Sequence, residues 1–423
     1  MRQYQTRSTR RPLRFWGWGY ADEHLTEEEN ALVESTVSAF VPGGAVELAP
    51  PGVDEFDLPE SRVKIPASLE PILSNLPYDR LVHTYGKSYA DIARMFLRRV
   101  ENAPDCVAFP RNEQDIVDLF DYCQAQGLAV IPFGGGTGVC GGTEADVGQG
   151  YRGSISLDME NFNRILEVDA TSRRARIQAG ILGPDMEAGL KPHGLTLRHY
   201  PQSFPFVTLG GMIATRAGGH FASLYTHIDD LVESTRLLTP AGVIETRALP
   251  GSGAGPSADR LIIGSEGSLG VITEATMRLQ KRPQWRATAS IRFADMLQGA
   301  EAVRHIAQAG LYPSNCRLLD PLEAMMNGVG DGRSALLVLA FESADHSLQA
   351  WMGRALELVA DHGGSWDQEA VQRSLSGAAA VEEGEHRKGA AGEWRNQFLR
   401  APYYRNYLTP AGVIVDTFET AIT

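Results

Sequence analysis

Glycine is the residue type whose spacing in this chain could do chemistry. Val130 to Gly142 reads VIPFGGGTGVCGG, an apolar run that breaks into Gly134, Gly135, Gly136, Gly138, Gly141 and Gly142. Two further clusters follow, PQSFPFVTLGGMIATRAGG from Pro201 and GSEGSLG from Gly264 to Gly270. Glycine weakens regular structure, so such clusters mark turns with positive φ or a ligand pressed against the backbone. A triphosphate-binding P-loop needs a lysine behind its last glycine, and none stands there. A dinucleotide fingerprint can be laid on Gly136, Gly138 and Gly141, with Asp158 near the place of a ribose-binding acid. That fingerprint also needs a helix directly after the glycines, whose N-terminus faces the pyrophosphate. TEADVGQGYRGSISLDM supplies a loop and a strand instead. What remains is a pyrophosphate cradled by backbone N–H groups of several separate loops, belonging to a large and partly apolar cofactor.

The other reactive residue types are sparse. Cys106, Cys123, Cys140 and Cys316 show no metal-ligand or CxxC spacing, so no metal is expected, and they read as reduced thiols of a cytoplasmic protein. Cys106 and Cys123 sit in apolar patterns, as small core residues. The ten histidines are scattered, with no adjacent pair. A net charge of −13 excludes general nucleic-acid binding, which needs a basic face. No apolar run reaches the length of a membrane span. The one basic segment is the N-terminus, with Arg2, Arg7, Arg10, Arg11 and Arg14 and no acid. It lacks an apolar stretch behind the arginines, so it is no secretion signal; it reads as an arm packed on the acidic body.

These loops must be held by regular elements. Cys106 to Pro110 reads as a strand. Asn112 caps a helix with Ile116, Leu119, Phe120 and Cys123 on one face, and Gly127 stops it. Leu128 to Phe133 is a second strand, leading into the glycines. Strands follow at 154–159, 164–169 and 174–180, then a helix from Pro184 to Leu190 ended by Gly194. Leu231 to Leu249 reads as a hairpin turning at Pro240-Ala241-Gly242, and VITEATMRL follows the third cluster as a strand. Pro283 marks a boundary. Beyond it strands (ATASIRFA, SALLVLAFES) alternate with helices near 296–309 and 346–362, a separate α+β layer. Upstream, YADIARMFLRRV is helical, whereas residues 21–75, rich in proline and acid, read as irregular. Residues 374–394 are the most loop-like part of the second half. A helical stretch after Trp394 and an apolar strand-like run end the chain.

Taken together, FPRNEQDIVDLFDYCQAQGLAVIPFGGGTGVCGG, PQSFPFVTLGGMIATRAGG and IGSEGSLGVITEATMRL resemble the three FAD-binding segments of the vanillyl-alcohol-oxidase-type (PCMH-type) flavoproteins. Within that group WGWGY at 16–20, VHTYGKSYADI, IDDLVESTRLLTPAGVIE and SNCRLLD at 314–320 are most similar to the alkyldihydroxyacetonephosphate synthase family. The resemblance implies an α+β fold: an N-terminal arm and helical region (1–100), a two-subdomain FAD-binding domain (101–283) and an incomplete α+β cap or substrate domain (284–423). It implies that Pro132, Phe133, Gly134, Gly135, Gly136, Thr137 and Gly138 wrap the FAD pyrophosphate, with Val139 to Gly142 continuing that turn. Gln202, Ser203 and Thr208, with Gly210 and Gly211, would line the flavin and its diphosphate. Thr215, Arg216, Ala217 and Gly218 would form another contact strip. Glu266, Gly267, Ser268, Leu269, Gly270, Val271 and Ile272 would approach the adenosine side. Arg317, from the RLLD-like motif, would lie near the flavin on the cap side; an ion pair with Asp320 or another local acid is the plainer reading of it.

The chain departs from the family pattern at Gln202, where relatives usually carry aspartate, and at Thr226, where they carry glycine. His220 is a local oddity, read as structural. No histidine occurs in Gly134 to Gly138, the place of covalent flavin attachment in some relatives, so FAD is expected to be non-covalent. The implied activity is exchange of an acyl for an alkyl chain on acyl-dihydroxyacetone phosphate, through an adduct at flavin N5, in ether-lipid synthesis. The family's histidine cluster, tyrosine and arginine are expected beyond Thr423, which makes this sequence a C-terminally truncated one with its catalytic residues unassigned. Two alternatives stand beside this: an FAD-linked oxidase or dehydrogenase of a 2-hydroxy acid such as D-lactate or glycolate, and an inactive flavin-binding fragment. The expected partner is a small phosphorylated or lipid-like substrate handled by a cytoplasmic homodimer, with peripheral membrane association left open.

Overall fold

A computed structural model describes residues 4–41, 43, 48–249, 253–326, 328–376 and 390–414. In chain order its elements are α1 (Glu27–Phe40), β1 (Leu73–Ser74), α2 (Pro77–Val82), α3 (Tyr89–Phe96), β2 (Cys106–Ala108), α4 (Glu113–Gln126), β3 (Leu128–Phe133), β4 (Gly153–Asp158), β5 (Ile165–Asp169) and β6 (Arg174–Gln178). Then come α5 (Gly183–Leu190), β7 (Leu195–Thr196), α6 (Leu209–Ala214), α7 (Ala222–Tyr225), α8 (Ile228–Leu231), β8 (Val232–Thr239), β9 (Gly242–Glu245), α9 (Ala258–Ile262), β10 (Val271–Arg278) and β11 (Gln280–Lys281). The last part holds β12 (Trp285–Phe293), α10 (Met296–Gln308), β13 (Asn315–Leu319), α11 (Pro321–Met326), β14 (Ala335–Ser343), α12 (Gln349–Ala360), β15 (Ser365–Trp366), α13 (Gln368–Ser376) and α14 (Ala390–Leu408).

Three sheets carry the architecture. The first has the order β1-β2-β4-β3, with β2 and β3 both parallel to β4. The β2-α4-β3 unit legible in the sequence is therefore opened by β4, which enters only after the glycine loop. Asn112 caps α4 by accepting from Asp115 N, Gly127 closes it at φ 66, and Ile116, Leu119, Phe120 and Cys123 are its buried face. The second sheet, β5-β6-β10-β8-β9, is antiparallel, with β10 between β6 and β8. Its core takes in Ile177, Met186, Leu190, Met212, Ile213 and Met277. Leu238 and Val271, from the second sheet, are buried in the core of the first, which locks the two together. The third sheet, β13-β14-β12-β15, lies in the segment expected to form the cap. Ala287, Ala289, Ile291 and Phe293 alternate inward along β12 and join Ala302 and Ile306 of α10 with Met352, Ala355 and Val359 of α12 in one apolar core.

Residues 21–75 are not irregular throughout, contrary to expectation. Thr26 and Glu29 form a reciprocal capping box that starts α1. Prolines flank that segment without entering it, and no residue of the helix is fully buried. Its composition hid it because it is held by a cap and by the Glu29–Arg400 ion pair to α14, at 2.6 Å, not by a wide apolar face. The arm packs on acids as expected: Arg10 lies 3.8 Å from Asp158 and 4.0 Å from Glu160. Of the stretch read as a loop, residues 377–389 lie outside the described residues, 374–376 close α13, and 390–394 open α14. The strand-like end from 415 also lies outside them.

Candidate functional site at the glycine loops

Three glycine clusters distant in sequence converge where the first two sheets meet. A Cβ on Gly135 would stand 1.9 Å from Phe206 O, and one on Gly134 would stand 2.3 Å from Thr208 Oγ1, so the first cluster lies directly on the second. The second joins the third through Gly264 N and Glu266 N, which donate to Ile213 O at 3.1 Å and Ala214 O at 3.0 Å. The third returns to the first: a Cβ on Gly267 would touch Pro132 at 3.0 Å, and one on Gly142 would lie 3.1 Å from Glu266 Oε2. Gly136 and Gly267, at φ 62 and 82, occupy the left-handed region that such reversals demand.

The expected site residues divide by what their side chains touch. Phe133 is buried against His83, ring centroids 4.1 Å apart, on the side of the N-terminal arm. Val271 and Ile272 are core residues, and Thr208 is the buried cap of α6. These offer only backbone to a ligand. Gly210 packs on Ala179, so its missing side chain serves the helix–strand contact. Gln202, Ser203 and Thr137 are partly exposed, and Ser203 O accepts from Phe206 N and Val207 N. Ala217 N donates to Met212 O, closing the second loop, and Gly218 is exposed beside His227. Gly138, Thr215, Arg216, Glu266, Ser268 and Leu269 are exposed. Thr215 Oγ1 donates back to Gly211 O, and Arg216 pairs with Asp229 at 3.0 Å.

The geometry fits an anionic ligand at the first loop. Among the described residues, none accepts a hydrogen bond from the backbone N–H groups of residues 135–142. A Cβ on Gly138 or Gly141 would meet nothing within 4 Å. The buried hydroxyls of Thr143 and Ser265 also lack a partner among the described residues. Donors facing open space and without acceptors are what a diphosphate requires. The reading from sequence missed the rear support of this loop: Arg10 donates to Gly134 O at 3.2 Å and Gly180 O at 3.0 Å, and Lys87 N donates to Gly138 O at 2.8 Å. Burial pushes the Lys87 ammonium down to about 8. The signal for the Arg10 contacts was the unopposed charge of the arm; the backbone contact of Lys87 had none.

Beyond the loops lies the seam with the cap. Asn315 of β13 bonds His220 across it, Nδ2 to Nε2 at 3.3 Å, and both residues are buried. Arg317 is on the same face of β13 two residues on, 5.3 Å from the Phe398 ring and in the field of Glu323. Arg198 and Glu342 form a buried, bidentate ion pair between the segment after β7 and β14. His199, its neighbour, was passed over in the sequence: burial, and secondarily the charge of His227, push it down to about 4. Its Nε2 has no partner among the described residues.

Residues 104–247 match the family model described as FAD binding domain, and residues 282–423 match that of FAD linked oxidases, C-terminal domain. The chain thus carries an FAD binding domain followed by the C-terminal domain of FAD linked oxidases. FAD is its cofactor. The chain is 32% identical over 359 residues to an alkyldihydroxyacetonephosphate synthase of Dictyostelium discoideum, covering 81% of this chain and 57% of that protein. It is 30% identical over 274 residues to a mitochondrial D-lactate dehydrogenase [cytochrome] of Arabidopsis thaliana, covering 64% of this chain and 47% of that one. A solved alkyldihydroxyacetonephosphate synthase shares the fold, with a TM-score of 0.79 at 24% identity over 94% of this chain and 77% of that one. The chain spans a little over half the length of the curated synthases it matches. Among the described residues no helix is long and apolar enough to cross a membrane.

Proposed function

We propose that this flavoprotein is an enzyme of the alkyldihydroxyacetonephosphate synthase type, exchanging the acyl group of acyl-dihydroxyacetone phosphate for a fatty alcohol and releasing a fatty acid. The observation that carries the reading is the reach of the similarity. It extends over 81% of the chain for the Dictyostelium synthase and 64% for the lactate dehydrogenase. Bound FAD supplies an electron-accepting ring that no side chain here can provide. The N–H groups from Gly135 to Gly142 would hold its diphosphate, Gln202, Ser203 and Thr208 to Gly211 its flavin side, Thr215 to Gly218 a further strip, and Glu266 to Ile272 its adenosine side. Phe133, Val271 and Ile272 would contribute backbone alone. Arg317 would place a cation at the seam for the substrate phosphate. With no histidine among Gly134 to Gly138, FAD is held non-covalently. The substrate is a phosphorylated, lipid-like small molecule, handled by a cytoplasmic homodimer at the membrane surface.

The test is turnover with acyl-dihydroxyacetone phosphate and a labelled long-chain alcohol. Labelled ether product with released fatty acid, and no lasting loss of flavin absorbance, is the expected result. Anaerobic bleaching by D-lactate or glycolate without ether product would replace this reading with a 2-hydroxy acid oxidase. Bound FAD with neither reaction would leave an inert flavin-binding protein.

A further inference from the structure

We propose that the cap carries a site for a borderline divalent transition metal ion, formed by Glu301, His305 and His362 and independent of the FAD site. Glu301 and His305 stand one turn apart on α10, and His362 lies in the turn that ends α12. Each offers one ligand atom, and the three atoms lie within 4.8 Å of one another. The two imidazole rings are 4.5 Å apart, centroid to centroid.

The tautomer of both neutral rings is set by the backbone. His305 Nδ1 lies 2.8 Å from Glu301 O, and His362 Nδ1 lies 2.7 Å from Leu358 O. A carbonyl oxygen only accepts, so each Nδ1 donates, and in the neutral ring the lone pair is on Nε2. That is the arrangement metal-binding histidines use, in which the second nitrogen's hydrogen bond fixes tautomer and orientation. The carboxylate is prepared too: both bonds from Arg304, at 3.0 and 2.5 Å, end on Glu301 Oε2, which leaves Oε1 outside that pair. Ligand atoms around a tetrahedral zinc stand roughly 3.3 Å apart, from metal bonds of about 2.0–2.1 Å. The gap to 4.8 Å is to be closed by rotation of the Glu301 carboxylate, 54% exposed, while the backbone bonds keep both rings in place.

Two imidazoles and one carboxylate select zinc, nickel or copper over magnesium or calcium, which take all-oxygen ligands. The ion would tie α10 to the end of α12, the two helices whose apolar sides share the cap core.

The test is calorimetric titration of the purified full chain, FAD bound and chelator removed, with zinc chloride. One saturable event is expected, weakened about tenfold or more by His305→Ala and by His362→Ala, and unchanged by His346→Ala, an exposed histidine elsewhere on the cap. Circular dichroism in chelator verifies that these variants fold, since none of the three histidines is buried. Wild-type affinity in the His305→Ala/His362→Ala double variant would overturn the proposal. So would equal weakening by His346→Ala, which would mean zinc spread over surface histidines.

Discussion

Glycines 135 and 138 lie three residues apart in one loop, and the structure assigns them opposite reasons for lacking a side chain. Alanine at Gly135 puts a methyl 1.9 Å from Phe206 O, 2.9 Å from its carbonyl carbon and 3.3 Å from Val207 Cα. All three are backbone atoms, so relief requires the two loops to move apart. Overpacking of this kind costs about 1–3 kcal/mol or more, a fall in melting temperature of roughly 2–10 °C in a domain of this size. Gly135→Ala should therefore lose stability already as the apoprotein. Alanine at Gly138 meets no atom within 4 Å, and its φ is not in the left-handed region. Gly138→Ala should melt with the parent when FAD is absent. Its methyl would enter open space beside a loop whose N–H groups lack an acceptor among the described residues. Loss of one charge-assisted hydrogen bond is worth about 1.5–3 kcal/mol, so FAD affinity should fall roughly ten- to a hundred-fold. Apoprotein melting curves and flavin fluorescence on reconstitution measure the two quantities separately. A Gly138→Ala variant that binds FAD like the parent would refute the cradle. A Gly135→Ala apoprotein of parental stability would refute the collision argument.

Two other expectations follow from single residues. Thr226 sits at φ 64, ψ −163, a region open essentially to glycine and costing other residues about 1–3 kcal/mol; Thr226→Gly should raise the melting temperature, and a lower one would show that local contacts outweigh the strain. Glu113 of α4 accepts from Arg236 of β8 at 2.8 and 2.9 Å and from Thr273 at 2.7 Å, and the Arg236 hydrogen bond holds its carboxyl below the ordinary 4.5 against burial. Its native value is depressed, so its stabilisation is full above 4.5 and is lost as pH falls through the native value. Glu113→Gln should be less stable at pH 7 and show a shallower acid decline; a parallel decline would remove Glu113 from the account.

Much of the local structure was legible because its causes are local. Asn112, Gly127 and one apolar face define α4 within its own residues. Thr239 and Gly242 pair across the hairpin turn, and period-two alternation marks β12. The glycine spacing, without a lysine or a following helix, indicated a backbone cradle, and three clusters in order indicated the family. Helix α1 escaped because its support is a capping box and a partner more than three hundred residues away, Arg400.

What only the tertiary structure decided is which glycine does what. Glycine in sequence is the same absence of a side chain whether the neighbour is a protein carbonyl, as at Gly135, or open space, as at Gly138. That difference depends on loops brought together from positions 134, 206 and 267, and on an arm whose Arg10 reaches Gly134 O from far away in the chain. The histidine pair of the cap has the same origin. His305 lies on α10 and His362 in the turn that ends α12, and only the packing of α10 against α12 places their rings 4.5 Å apart. Residue type and spacing carry the chemistry a chain can offer; long-range packing settles which atoms face each other.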